Sequence, residues 1–146
     1  HYGNGLIDSY SLEDAEMVIV CLGSTTGTVK TVVDELREEG IKAGLLRIRT
    51  FRPLPVDEIV KALGKVKAVA VMDRSISFGG HGGPVFHAIR HLLYDSPTHP
   101  YVVNYFYGLG GRDTSPVQIR KIYEDLQRII KTKRVENPIN YVGLRE

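Results

Sequence analysis

Four times in succession along this 146-residue chain, a short apolar or β-branched run is followed by a turn rich in glycine or proline, then by apolar residues at helical spacing. Strands that alternate with helices cannot pair as hairpins. Each return to the sheet needs a crossover, crossovers are nearly always right-handed, and helices therefore cover both faces of a mostly parallel sheet. The pattern predicts an α/β fold: a three-layer α/β/α sandwich around about five strands, four from the repeated units and one from the N-terminal segment. A chain of this length can bury roughly two thirds of its unfolded surface. That is enough for one core, and 1–146 reads as a single domain with 1–14 as an N-terminal segment and 132–146 as a C-terminal arm.

The first unit sets the pattern. Met17 to Leu22 is continuously apolar, as expected of a strand covered on both faces, and Gly23 closes it. Val29, Val32, Val33 and Leu36 then recur at helical spacing, with Gly40 as the stop. Leu45 to Arg49 forms the next strand and is ended by Pro53 and Pro55. Pro55 opens a short helix with Asp57 and Glu58 near its positive end, Ile59, Val60 and Leu63 inward and Gly64 as terminator. Val66 to Met72 is the third strand. After the long segment Asp73 to Gly83, Pro84 starts a helix whose stripe is Val85, Phe86, Ile89, Leu92 and Leu93, with His87, Arg90 and His91 on the wetter side. Tyr101 to Tyr107 has the aromatic and β-branched bias of a strand. The last helix is announced by a capping box, Ser115 to Gln118 with Pro116 at its first position, and Ile119, Ile122, Tyr123, Leu126, Ile129 and Ile130 make its apolar face. Leu6 to Tyr10 has the partial alternation of an edge strand, and the residues from Asn137 onward read as an arm without a core of its own.

Composition narrows the function classes. The formal charge is only +2, and apart from Lys131 to Arg134, which suits a solvated helix end, the basic residues are scattered. Nucleic acid is not an expected partner, and no apolar run reaches the length of a membrane helix. Cys21 is the single cysteine, so the chain can form no internal disulfide, four-thiolate zinc site or iron–sulfur cluster. A reducing compartment, the cytoplasm, is expected. The start at His1 reads as that of a piece of a longer chain.

The glycine- and proline-bearing turns all fall at the carboxyl ends of the strands, where open parallel sheets meet their ligands. Gly23, Ser24, Thr25, Thr26 and Gly27 could cradle an anion with amides and hydroxyls. They lack the P-loop lysine and the three-glycine dinucleotide spacing, so a tight turn that caps its helix is the favoured reading over a phosphate site. Arg74, Ser75, Gly79, Gly80, His81, Gly82 and Gly83 set a cation, a hydroxyl and an imidazole among glycines that permit close backbone approach. Ordering such a segment costs entropy, which points to a packed partner or a ligand. His81 has no local nucleophile and no orienting carboxylate at motif spacing, so no catalytic residue is assigned. Arg49 and Arg52, with Gly110, Gly111, Arg112 and Asp113, add charge to the same edge and either pair with one another or face a partner.

Ile48 to Pro55, Asp73-Arg74-Ser75 with Gly79 to Pro84, and Tyr107 to Asp113, in this order, resemble core domain II of pyruvate:ferredoxin oxidoreductase. The likeness runs from Gly5 through the last helix. It implies a fold like the C-terminal domain of transketolase, often with one antiparallel strand, which suits Leu6 to Tyr10. It also implies a multi-subunit enzyme, this domain being the C-terminal part of its alpha subunit. That enzyme oxidises a 2-oxoacid with thiamine diphosphate and Mg2+, passes electrons through iron–sulfur clusters to ferredoxin and gives acyl-CoA. Those centres would lie in other domains or subunits. This domain would supply contacts through Arg52, Arg74 to Gly83 and Gly110 to Asp113, touching ferredoxin only indirectly. The contrasting reading is a stand-alone module that binds a nucleotide or coenzyme A at Gly23 to Gly27.

Overall fold

The computed structural model describes residues 7–22, 26–49, 55–74, 83–94, 99–107 and 114–142. Its central strand, β2 (Met17–Leu22), sends Met17, Ile19 and Cys21 into one core and Val18 and Val20 into the other, all buried. That two-sided burial is why the run is apolar without alternation. Around it, in chain order, lie β1 (Ile7–Tyr10), α1 (Thr26–Glu38), β3 (Ala43–Ile48), α2 (Val56–Leu63), β4 (Ala68–Arg74), α3 (Pro84–Leu93), β5 (Tyr101–Tyr107), α4 (Pro116–Thr132) and β6 (Ile139–Tyr141).

The sheet order is β1-β3-β2-β4-β5-β6, and β3, β2, β4, β5 and β6 run parallel. Helices α1 and α4 cover one face through Val29, Val33, Ile119, Tyr123 and Leu126. Helices α2 and α3 cover the other through Ile59, Leu63, Phe86 and Ile89. The three-layer mixed sandwich expected from the sequence is therefore present. β1 supplies the antiparallel edge strand, with Ile7 opposite Ile48 and Tyr10 opposite Leu45.

Local signals behave as their chemistry requires. Ser115 accepts from the Gln118 amide at 3.2 Å while Gln118 Oε1 accepts from the Ser115 amide at 2.9 Å, closing the capping box. Gly40 ends α1 at φ +86°, a conformation that a side chain disfavours. His87, Arg90 and His91 are exposed. Val60 is half-buried rather than inward, and Pro55 stands at the N-cap of α2.

The C-terminal arm departs from expectation. Ile139–Tyr141 add a sixth strand parallel to β5, held by the Asn104 amide on the Pro138 carbonyl and the Val142 amide on the Phe106 carbonyl, each at 2.7 Å. Three residues carry too little periodicity to announce a strand. The unpaired edge of β5 imposes the pairing from outside.

Candidate functional site at the carboxyl edge of the sheet

The four parallel strands β3, β2, β4 and β5 end on one edge. The chain moves from β2 to β3 on one side and from β3 back across β2 to β4 on the other. The strand order thus reverses between β2 and β4, which is where open α/β sheets place a crevice. Strands β2 and β4 are paired neighbours there, ending at Leu22 and Arg74.

At the end of β4 the Asp73 carboxylate is buried, 4% exposed, and accepts every hydrogen bond it makes. The Val85 amide donates to Oδ1 at 3.0 Å, the Phe86 amide donates to Oδ2 at 3.1 Å, and Asn104 Nδ2 donates to Oδ2 at 2.9 Å. Asn104, on β5 and fully buried, is equally committed. Its Nδ2 also donates to the Val71 carbonyl at 3.0 Å, and its Oδ1 accepts the Gly83 amide at 2.9 Å.

This arrangement follows from the start of α3. Gly83 is the N-cap and has no side chain to cap with, while Pro84 at the first helical position has no N–H. The open amides of Val85 and Phe86 are met instead by a carboxylate from the neighbouring strand, placed where the helix dipole favours negative charge. Gly83 itself is required by proximity: a Cβ there would overlap the Asp73 carboxyl group and lie 2.6 Å from Asp73 Cβ. The chain has filled with its own carboxylate the position where an anion would otherwise sit.

Of the residues singled out in the sequence, Thr26 and Gly27 open α1. Thr26 is buried, and Gly27 faces open space, with nothing within 4 Å of where a Cβ would stand. Arg74 ends β4 in register with Tyr107, and Gly83 belongs to the Asp73 network. Gly23, Ser24, Thr25, Arg52, Ser75, Gly79, Gly80, His81, Gly82, Gly110, Gly111, Arg112 and Asp113 lie outside the described residues. Arg49 pairs with Asp8 of β1 at 2.9 Å. Asp73 and Asn104 were the residues sequence reasoning passed over as functional. Their signal is a polar side chain inside an otherwise apolar or aromatic strand, which is buried only where hydrogen bonds satisfy it.

On the α1–α4 face of the same edge, Cys21 of β2 stands beside Arg47 of β3. Burial pushes the Cys21 thiol up to about 12, with the Arg47 charge pulling the other way. The group is a poor nucleophile as placed. Arg47 itself reaches Asp8 at 3.6 Å. Among the described residues no three His, Cys, Asp or Glu side chains gather to hold a metal ion, so no metal chemistry is derived on them. No helix among them is long and apolar enough to cross a membrane.

Residues 15–119 match the model of the family described as pyruvate:ferredoxin oxidoreductase core domain II. The chain is 46% identical over 140 residues to pyruvate synthase subunit PorA of Thermotoga maritima, covering 96% of this chain and 35% of that protein. It is 39% identical over 140 residues to ketoisovalerate oxidoreductase subunit VorA of Pyrococcus furiosus, with the same coverage of each. The chain thus spans about a third of the length of these relatives. A solved split-gene transketolase, an inactive beta4 tetramer, shares the fold at TM-score 0.62 and 19% identity over 87% of this chain and 42% of that one.

Proposed function

The chain belongs to the pyruvate:ferredoxin oxidoreductase core domain II family, and from that premise we propose that it is the non-catalytic assembly domain of a cytoplasmic, thiamine-diphosphate-dependent 2-oxoacid:ferredoxin oxidoreductase. In this reading the enzyme converts a 2-oxoacid and coenzyme A to acyl-CoA, CO2 and reduced ferredoxin. The relatives' names give pyruvate in one and ketoisovalerate in the other, and an oxoacid substrate is what the two have in common. Thiamine diphosphate, Mg2+ and the iron–sulfur clusters are held by other domains or subunits, and this domain meets them through its carboxyl edge.

The observation that carries the reading is the self-capped edge. The Val85 and Phe86 amides that open α3 are occupied by Asp73, and the Ser115 and Gln118 amides at the start of α4 by its own capping box. Two of the helix N-termini that would receive a phosphate are thus committed within the chain. On the same edge, Val56 at the start of α2 and Val117 at the start of α4 are 45% and 77% exposed. Apolar side chains beside helix starts suit a protein surface better than a polar cofactor. Arg52, Arg74 to Gly83 and Gly110 to Asp113 would complete the contact.

In the assembled enzyme, Arg74→Ala is expected to weaken subunit association and turnover together. Unchanged assembly and turnover would remove the contact role from this segment. The separate chain, given a 2-oxoacid, thiamine diphosphate, coenzyme A and an electron acceptor, is expected to show no turnover. Calorimetry is expected to find no tight binding of coenzyme A or a nucleotide. Tight binding would instead support the stand-alone module with Gly23 to Gly27 as its site.

A further inference from the structure

We propose that a cavity at the amino edge of the sheet binds a small organic anion, one with a carboxylate or phosphate head and an aromatic body. The cavity holds about 400 Å3 between the end of α3, the start of β5 and the arm that leads into β6, within the size range of small-molecule pockets. Arg90, Tyr94, His99 and Tyr101 supply its polar groups, and Leu93 and Val135 its apolar wall. No Asp or Glu stands among the described residues that line it. It lies at the opposite end of the strands from Asp73, and nothing in it draws on the docking reading of the carboxyl edge.

Three features suit the cavity to a negative charge. The Arg90 guanidinium lies over the Phe86 ring, 5.7 Å from its centre, and pairs with no carboxylate among the described residues. Its fork of N–H donors is therefore steadied by the ring and left for an anion. Pairing of β5 with β6 begins at Asn104, whose amide donates to the Pro138 carbonyl. Two residues earlier the Val102 amide points to the same side, because strand directions repeat every second residue, and among the described residues no strand meets it there. The cavity, which Val102 and Pro138 both line, occupies that gap. His99 has a φ of +46° immediately before Pro100, a left-handed conformation of the kind that gathers at binding sites. One effect opposes an anion: the carboxyl end of α3 carries about half a negative charge. The whole charge of Arg90 in that last turn outweighs it, and the exposed Lys133 and Arg134, just before Val135, add to the positive side. The rings of Tyr94 and Tyr101 suit an aromatic body. Because the arm forms one wall, filling the cavity also holds β6 against β5.

Calorimetry on the full subunit tests the site with benzoate and phenyl phosphate, and with benzyl alcohol and inorganic phosphate as body and head alone. At least one aryl anion is expected to bind with a Kd of about 1 mM, the tighter of the two identifying the head. Binding of benzyl alcohol or inorganic phosphate as tightly as that anion would overturn the proposal, as would no binding of either anion. Arg90→Met keeps an apolar stem and removes the charge. It is expected to weaken the aryl anion roughly tenfold and to leave benzyl alcohol unchanged. Tyr94→Ala, at a side chain 77% exposed, is expected to weaken both. Unchanged anion affinity in the two variants would place the binding elsewhere in the subunit and overturn the assignment. Hydrogen exchange gives a second readout: the anion is expected to slow the Asn104 and Val142 amides, which hold the arm, in the wild type but not in Arg90→Met. Equal exchange of those amides with and without the anion would show that the arm is no wall of its site, which overturns the placement in this cavity.

Discussion

At the carboxyl edge Asp73 joins β4 to α3 with its carboxylate almost wholly buried, whereas on the outer face of the opposite layer Arg120 joins α4 to α1 through carboxylates that are about half exposed. Both sets of contacts link elements far apart in sequence. They differ in what surrounds them. Around Asp73 the alternative to a protein donor is a low-dielectric interior, so each lost bond leaves a stranded group. Around Arg120 the alternative is water, so a lost pair is replaced at little cost. Polar contacts that look alike on a diagram thus divide into those that specify structure and those that decorate it.

The largest expected effect breaks the buried side of this comparison. Asp73→Ala leaves the Val85 and Phe86 amides and one Asn104 N–H without their acceptor, at a cost of about 3–5 kcal/mol. Urea unfolding would measure it. A loss below about 1 kcal/mol would mean that the helix start is solvated.

The second prediction asks whether the other layer is as dry. Cys21 lies fully buried beside Arg47, and burial outweighs that charge, pushing its thiol up to about 12 from an ordinary value of 9.0. The unfolded chain therefore releases the thiol proton first as pH rises, and the protein loses stability between about 9 and about 12. By pH 10.5 the loss attributable to Cys21 is about 2 kcal/mol. It would be read as the difference between the wild type and Cys21→Ala in unfolding across that range. Parallel pH profiles for the two proteins would show that water reaches the thiol or that the Arg47 charge outweighs burial.

How much of this was readable from the sequence follows the range of each interaction. The strand–helix alternation, the Ser115 to Gln118 capping box and the Gly40 stop depend on residues within a turn of one another, and all are present in the structure. β6 depends on the edge of β5, more than thirty residues away, and its three residues carry no period of their own. The Asp73–Asn104 bond spans 31 residues. An Asn in the Tyr101 to Tyr107 run advertises that something must satisfy it but not what. Parts of all three motifs that carried the resemblance, 50–54, 75 with 79–82, and 108–113, fall outside the described residues, and their contact role rests on the proposed function.

A smaller effect is expected where one buried bond crosses a layer. Tyr123, fully buried on α4, donates its hydroxyl to the Gly44 carbonyl at 2.6 Å. Tyr123→Phe keeps the ring and its packing and removes that bond alone, for about 1 kcal/mol. A thermal-denaturation series beside Asp73→Ala would place the single bond between the buried Asp73 network and the surface pairs. A loss as large as that of Asp73→Ala would show that bond count does not set the scale.

The smallest effect completes the comparison from the exposed side. Arg120 meets Glu39 at 2.5 Å, and Glu35 and Glu124 at 3.7 Å, more carboxylate partners than any other described arginine has in its ion pairs. If ion-pair number governed stability, Arg120→Ala would rival Asp73→Ala. Screening argues otherwise: the side chains remain within reach of water and salt, and holding them in place costs entropy. Arg120→Ala is therefore expected to lower Tm slightly in dilute buffer, and the difference from wild type should disappear in 1 M salt, where the Debye length falls to about 3 Å. A loss that persists in 1 M salt would mean the Arg120 stem packs between α1 and α4 as an apolar strut, and the division between buried and exposed contacts would then have to be redrawn through that side chain.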